Sequence, residues 1–459
     1  MRTVIARRPR LKDEVVVRRH VGEIDSVVLH HEASRRVSRI LPVQWQVLAL
    51  ADGTRDVEGL VLAARARDIE VEPEDLIAVL GHLAADGLLE EGPAPPAGLD
   101  ADPDADLLDV PLDPIDGWRF ECSGSGVCCH VFPSILFTPL EAARAQVMLP
   151  DEPHDFFPVR GGAREGAALA PVLVEGRCRY LDDANRCQLH ACGGIDAKPA
   201  GCRAFPTQLV FDGERVRVSA AFECACVVDG IGRESGDPPV APGVETLRGL
   251  PRPSRVGRVP DDVAVDEAHR ASRAQVRAFY RALADAAPPQ DVARGVWSLA
   301  SAIRARGLDP EVIRAYESPD PSDGAAEREL SGMLVESLRR WREPLASFRS
   351  SDDLTRRAID WMIEAGESIE RDGLNAGAAP QLGSRCAAVE SFYVRATAWV
   401  CRDALGPLPL ATALHVRALR VWLARALAAV AGADPRARAP LALVEVMFRA
   451  HGLDAFVGG

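Results

Sequence analysis

The chain has 459 residues, a hydrophobic fraction of 47% and a formal net charge of −13, more than one hydrophobic core accommodates, so two or three domains are expected. The acidic balance excludes a surface of clustered Lys and Arg for phosphate, and with it a nucleic-acid partner. No window approaches the roughly 18 apolar residues of a membrane span and Met1 to Arg19 has no signal-peptide pattern, so no membrane partner and a cytoplasmic location are expected.

The expected fold class is multidomain α+β. Residues 1–91 read as a small winged-helix-like module, opening with the β-rich runs Val15-Val16-Val17 and Val27-Val28-Leu29. A short buried helix follows over Leu41 to Ala51, then a turn at Asp52-Gly53-Thr54. Leu76, Ile77, Leu80 and Leu83 recur at helical spacing before Gly87-Leu88-Leu89. The stretches DGTRDVEGLV and LAADGLLEEG resemble PqqD-like peptide-binding modules. That resemblance implies a protein or peptide partner for this part of the chain.

Residues 92–116 are rich in Pro, Gly, Ala and Asp without a hydrophobic period, and read as a linker. Residues 230–260, with Pro238-Pro239, Pro242, Pro251 and Pro253, read as a second one. Between them, 117–229 holds nine of the eleven cysteines. In a chain without a secretion signal such clustering points to metal binding rather than to disulfides, and the odd count of nine points the same way.

Thiolates suit zinc and iron-sulfur centres because sulfur is soft and carries compensating charge once deprotonated. The order is Cys122, Cys128 and Cys129, then Cys178 and Cys187, then Cys192 and Cys202, then Cys224 and Cys226. Gly124 and Gly126 permit a tight backbone that turns several thiols to one centre. Lys198 and Arg203 flank Cys202 and offset the charge of a multi-thiolate site, and Lys198 is an anion-binding candidate in a chain whose only other lysine is Lys12. His190 is expected to orient a thiolate rather than to ligate; His130 has the same options. The runs Leu209-Val210-Phe211 and Val216 to Val218, joined at Asp212-Gly213, read as a β-hairpin that returns Cys224 to the cluster.

The blocks FECSGSGVCC, CRYLDDANRCQLH, KPAGCRAFP and ECACV, in this order, resemble the YkgJ-type cysteine-cluster family of zinc- or iron-chelating proteins. Cys122, Cys128, Cys129, Cys178, Cys187 and Cys202 fall on that family's cysteines and Cys224 on a later one, whereas Cys192 and Cys226 have no clear counterpart. Long members of the family are similar to flagellin lysine-N-methylase. This likeness implies an S-adenosylmethionine-dependent protein lysine N-methyltransferase as the alternative to a structural, adaptor or redox-responsive metal protein.

Surplus cysteines leave metal storage or delivery as a third reading. No phosphate loop, Gly-rich strand-to-helix turn, C-x3-C-x2-C run, His-Glu-x-x-His or Gly-x-Ser-x-Gly occurs, so S-adenosylmethionine enters through the resemblance alone.

From 261 to 459 the pattern is helical. Val276, Phe279, Tyr280 and Leu283 share one face, as do Val416, Leu419, Leu423, Leu427 and Val430. Further helices are expected over Val292 to Arg304, Glu327 to Trp341, Leu354 to Ile369, Ala387 to Ala404 and Leu441 to Ala450. Trp341, Trp361, Trp399 and Trp422 fall at apolar positions and are expected in the core. Cys386 and Cys401 stand apart as small hydrophobes.

Overall fold

The computed structural model describes residues 8–12, 15–21, 26–31, 36–91, 104–122, 129, 136–154, 156–159, 168–174, 177–250, 256–319, 328, 332, 334–336, 339, 353–372, 384–432, 434, 437 and 439–451. Among these the chain is mixed α/β with a helical C-terminal region.

The first part runs β1 (Pro9–Leu11), β2 (Val15–Val21), β3 (Ser26–His31), β4 (Arg36–Ile40), α1 (Pro42–Leu48), α2 (Val57–Arg65), α3 (Pro73–Ala85) and β5 (Leu89–Glu91). Alternation along β2 and β3 sends Val15, Val17, Val27 and Leu29 inward, where they meet Trp45, Leu48, Leu60, Leu76, Leu80 and Leu83 of the helices. Pro at the first turn starts α1 and α3, and the Asp56 carboxylate accepts the Gly59 N–H to start α2. Ile77, expected on the core face of α3, is 44% exposed. It follows Leu76 by one residue, and a 100° step carries it off the buried stripe.

The middle part continues with β6 (Leu112–Pro114), α4 (Pro139–Met148), β7 (Phe156–Val159), β8 (Ala168–Pro171), β9 (Leu173–Val174), β10 (Arg177–Cys178), α5 (Gln188–Gly193), α6 (Ala200–Ala204), β11 (Thr207–Phe211), β12 (Val216–Ala220) and α7 (Ala225–Gly230). The expected hairpin is present: β11 and β12 pair antiparallel from Thr207↔Ala220 to Phe211↔Val216. The Asp212 carboxylate accepts the amides of Glu214 and Arg215 to close the turn, and Gly213 takes φ +101° there.

Both segments with linker composition are partly built into this architecture. β6 pairs parallel with β12, and β13 (Gly257–Arg258) pairs parallel with β11. Leu107 is buried against the same sheet beside Val216, Leu247 and Val256. Strands of two or three residues that dock on an existing hairpin need no hydrophobic period of their own, which is why composition hides them.

The remaining elements are β14 (Asp262–Ala264), β15 (Arg270–Ser272), α8 (Arg273–Asp285), α9 (Val292–Arg306), α10 (Ile313–Glu317), α11 (Asp353–Asp372), α12 (Ser384–Trp399), α13 (Leu410–Ala431) and α14 (Pro440–His451). The expected helix over Glu327 to Trp341 lies largely outside the described residues, although 334–336 are helical and Leu334 and Val335 are buried. Helix α13 is buried on nearly every side and packs against α9, α11 and α14. Its arginines are therefore paired: Arg417 Nε with Asp403 at 2.9 Å, Arg420 Nη1 with Glu445 at 2.9 Å, and Arg425 Nε with Glu390 at 2.7 Å. Trp361 and Trp422 are in the core as expected, Trp399 is half-buried, and Trp341 lies outside the described residues.

The helical core extends into the cysteine region. All five residues of β12 are buried, Ser219 Oγ donates to Ala396 O at 2.8 Å, and the Phe222 and Tyr393 rings meet edge-on at 4.9 Å. Residues of β12 and α7 thus share one hydrophobic core with the helices beyond 261.

Candidate metal centre

Residues 178–187 form a tight loop with a cysteine at each end. Leu181 and Cys187 form an antiparallel bridge, the Gln188 amide donates to Tyr180 O at 2.8 Å, and Asp182 N donates to Arg186 O at 2.9 Å. The Asp182 carboxylate caps the turn by accepting the amides of Ala184 and Arg186, and Asn185 takes the left-handed conformation at φ +60°. Cys187 then precedes α5, and Gly194 at φ +70° ends that helix. A single 3-10 turn delivers Lys198, and Pro199 precedes α6, which carries Cys202.

Helix α4 braces this arrangement from outside. Thr138 and Glu141 form a reciprocal capping box at its start. The other Glu141 oxygen accepts the Ala200 amide at 2.7 Å, and Arg144 Nη1 donates to Asp196 O at 2.8 Å. Gly193 lets the end of α4 close in, since a Cβ there would come within 2.1 Å of the Met148 methyl. Underneath, Phe137, Tyr180, Leu181 and Leu189 form a small core that contains Cys178, with Cys129 and Cys187 packed against it. His154 bridges the Leu149 carbonyl at 2.6 Å and the Tyr180 hydroxyl at 3.1 Å. Glu141 was not singled out from the sequence, where the Thr-Pro-Leu-Glu capping pattern is the signal that marks it; the His154 contact had no sequence signal.

Charge shows which thiols share a neighbourhood. Burial pushes the Cys178 thiol up to about 12, reinforced by Cys129 and Cys187, while the Tyr180 amide works the other way. Burial also raises Cys202 well above the ordinary thiol range, with Cys178, Cys129 and Cys187 adding to the effect and Lys198 opposing it. Cys187 is raised by burial, and there the amides of His190 and Leu189 together with Lys198 favour the thiolate. Lys198 is half-buried; desolvation works against its charge, but Cys122, Cys187, Cys202 and Cys129 outweigh that and raise it. Four expected ligands, Cys122, Cys129, Cys187 and Cys202, therefore act on one ammonium, and Cys178 joins Cys129 and Cys187 at the small core beneath.

The other candidates are placed differently. Cys128 and His130 lie outside the described residues. Cys224, expected to close the site, and Cys226 are buried in the core shared by β12 and the helices, apart from the small core that holds Cys178. Arg203 faces carboxylates, Glu141 at 3.8 Å and Asp196 at 3.9 Å. His190 is exposed on α5, with its imidazole lowered by desolvation and then by Lys198, and Cys192 is exposed on the same helix. None of the ten described cysteines is in a disulfide.

Among the described residues no three His, Cys, Asp or Glu side chains are drawn together into a closed cation site. The donor chemistry nevertheless fits a thiophilic centre: several soft thiols, amides directed at two of them, and one cation to offset their charge. No helix of the described residues is long and apolar enough to cross a membrane. No protein-family model, curated protein or solved structure matches the chain.

Proposed function

We propose that the chain is a metal-binding protein whose Cys122, Cys129, Cys178, Cys187 and Cys202 thiols, with Cys128 and Cys224 as further candidates from the sequence, hold an iron-sulfur cluster or zinc. The observation that carries this reading is that Cys129, Cys178 and Cys187, from two separated segments, meet at one small core, while Cys122, Cys129, Cys187 and Cys202 act on the Lys198 ammonium. Neutral thiols buried without a metal contribute little; bound as thiolates, they would add the metal's binding free energy to folding. In this role the cysteine region is a loop-rich metal domain. The winged-helix-like N-terminal module and the helical C-terminal region flank it and carry contacts to a protein partner, which makes the protein a structural or redox-responsive adaptor.

Metal and sulfide analysis with an absorption spectrum, on protein purified without oxygen, tests the reading. Stoichiometric zinc in a colourless protein, or iron and sulfide with broad absorbance near roughly 400 nm, supports it. Protein that retains neither metal and takes up neither on reconstitution overturns it.

A further inference from the structure

The β9 and β10 strands serve two structures at once. They carry Cys178 of the thiol cluster, and they are the fourth and fifth strands of the sheet whose other members, β2, β3 and β4, belong to the N-terminal module. The register lines up a single row across that sheet: Ser26 pairs with His20, His20 with Leu173, and Leu173 with Cys178. At about 4.8 Å per strand, Cys178 stands two strands, or roughly 10 Å, from the backbone of β2.

The two sides of this row are unequal. On one side β2 and β3 pair over six residues and β3 and β4 over five. On the other, among the described residues, β2 meets β9 at two positions, His20↔Leu173 and Val21↔Val174, and β9 meets β10 at two. Ladders this short are not independently stable. They persist only where something holds the strands, and what holds this hairpin is Cys178 and the small core beneath it. That core also reaches β7, where Phe156 packs edge-on against Phe137 at 5.2 Å, and β7 and β8 lie against β2.

We infer that occupancy of the metal centre controls the outer edge of the N-terminal sheet: metal bound through Cys178 pins β10 and β9 onto β2, and loss of metal uncovers the β2 edge. The inference rests on the metal reading above and adds its regulatory consequence. A released β2 edge presents unpaired amides and carbonyls, so the state of the cluster sets whether that edge is paired.

Hydrogen exchange of the full chain, metal-loaded and metal-stripped, reads this directly. Stripping should raise exchange of amides in 15–21 and 168–178 by about tenfold or more, the mark of local opening, while 410–431 in the helical body stays protected. Leu173→Pro, with metal content verified, should give the loaded protein the same rise in 15–21; Leu173→Gly is the milder variant and should give a smaller one. If stripping raises exchange in 168–178 and leaves 15–21 protected, or if both Leu173 variants leave 15–21 protected, the coupling is wrong although the metal site stands. A chain that takes up no metal removes both readings together.

Discussion

Lys198 shows how one side chain is fitted to a thiol cluster. Four cysteines act on its ammonium, and it in turn favours the thiolate of Cys187 and Cys202. Lys198→Met should therefore weaken metal retention by about tenfold, the equivalent of one pKa unit or 1.36 kcal/mol, in a competition titration against a chelator, with Lys198→Arg restoring most of it. His415 gives a pH signature far from the cluster. Desolvation first and the Arg304 cation second hold its imidazole down at about 3, beside Trp297 at 4.2 Å between ring centroids and with Nε2 at 3.2 Å from Ser301 Oγ. The folded value lies below the unfolded one, so the unfolded chain binds the extra proton. Stability from this group is complete above its ordinary value of 6.5 and is lost as pH falls from there towards 3. Urea unfolding at pH 5 should show about 2 kcal/mol less stability from this group than at pH 7, and His415→Gln should flatten that slope.

At the scale of elements, the β11 and β12 hairpin depends on Asp212. One of its oxygens accepts two turn amides at 2.9 Å; the other accepts Arg217 Nε at 2.6 Å, and Arg217 lies 5.0 Å from the Trp399 ring. Asp212→Ala opens the turn and leaves the buried Arg217 with Asp113 alone, which should cost about 3 kcal/mol in denaturant unfolding. This hairpin was legible because Asp-Gly between two alternating runs is a local signal. The expected helices from Val292, Leu354, Ala387 and Leu441 were legible for a similar reason, since their apolar period is carried by each segment alone. The strands β6, β9, β10 and β13 were not, because each has two or three residues and exists only by docking on a partner distant in sequence.

At the scale of the whole molecule, the N-terminal core, the small core under the thiols and the helical core are three separate clusters. Calorimetry should accordingly resolve more than one transition, and chelation should lower the melting of the transition that includes the small core under the thiols while leaving the helical one in place. The sequence by itself determined the cysteine clustering and the helical C-terminal region, because cysteine spacing and a 3.6-residue period are properties of short stretches. It also determined that Lys198 stands beside Cys202. Only the tertiary structure decided that Cys224 goes to the helical core and Arg203 to carboxylates, and that Glu141 on α4 braces the loop before α6. It alone decided that Cys178 lies in the same sheet as the N-terminal strands. The physical reason is that these outcomes depend on which surfaces are buried against each other between separate segments of the chain, and neither residue type nor local period encodes that choice.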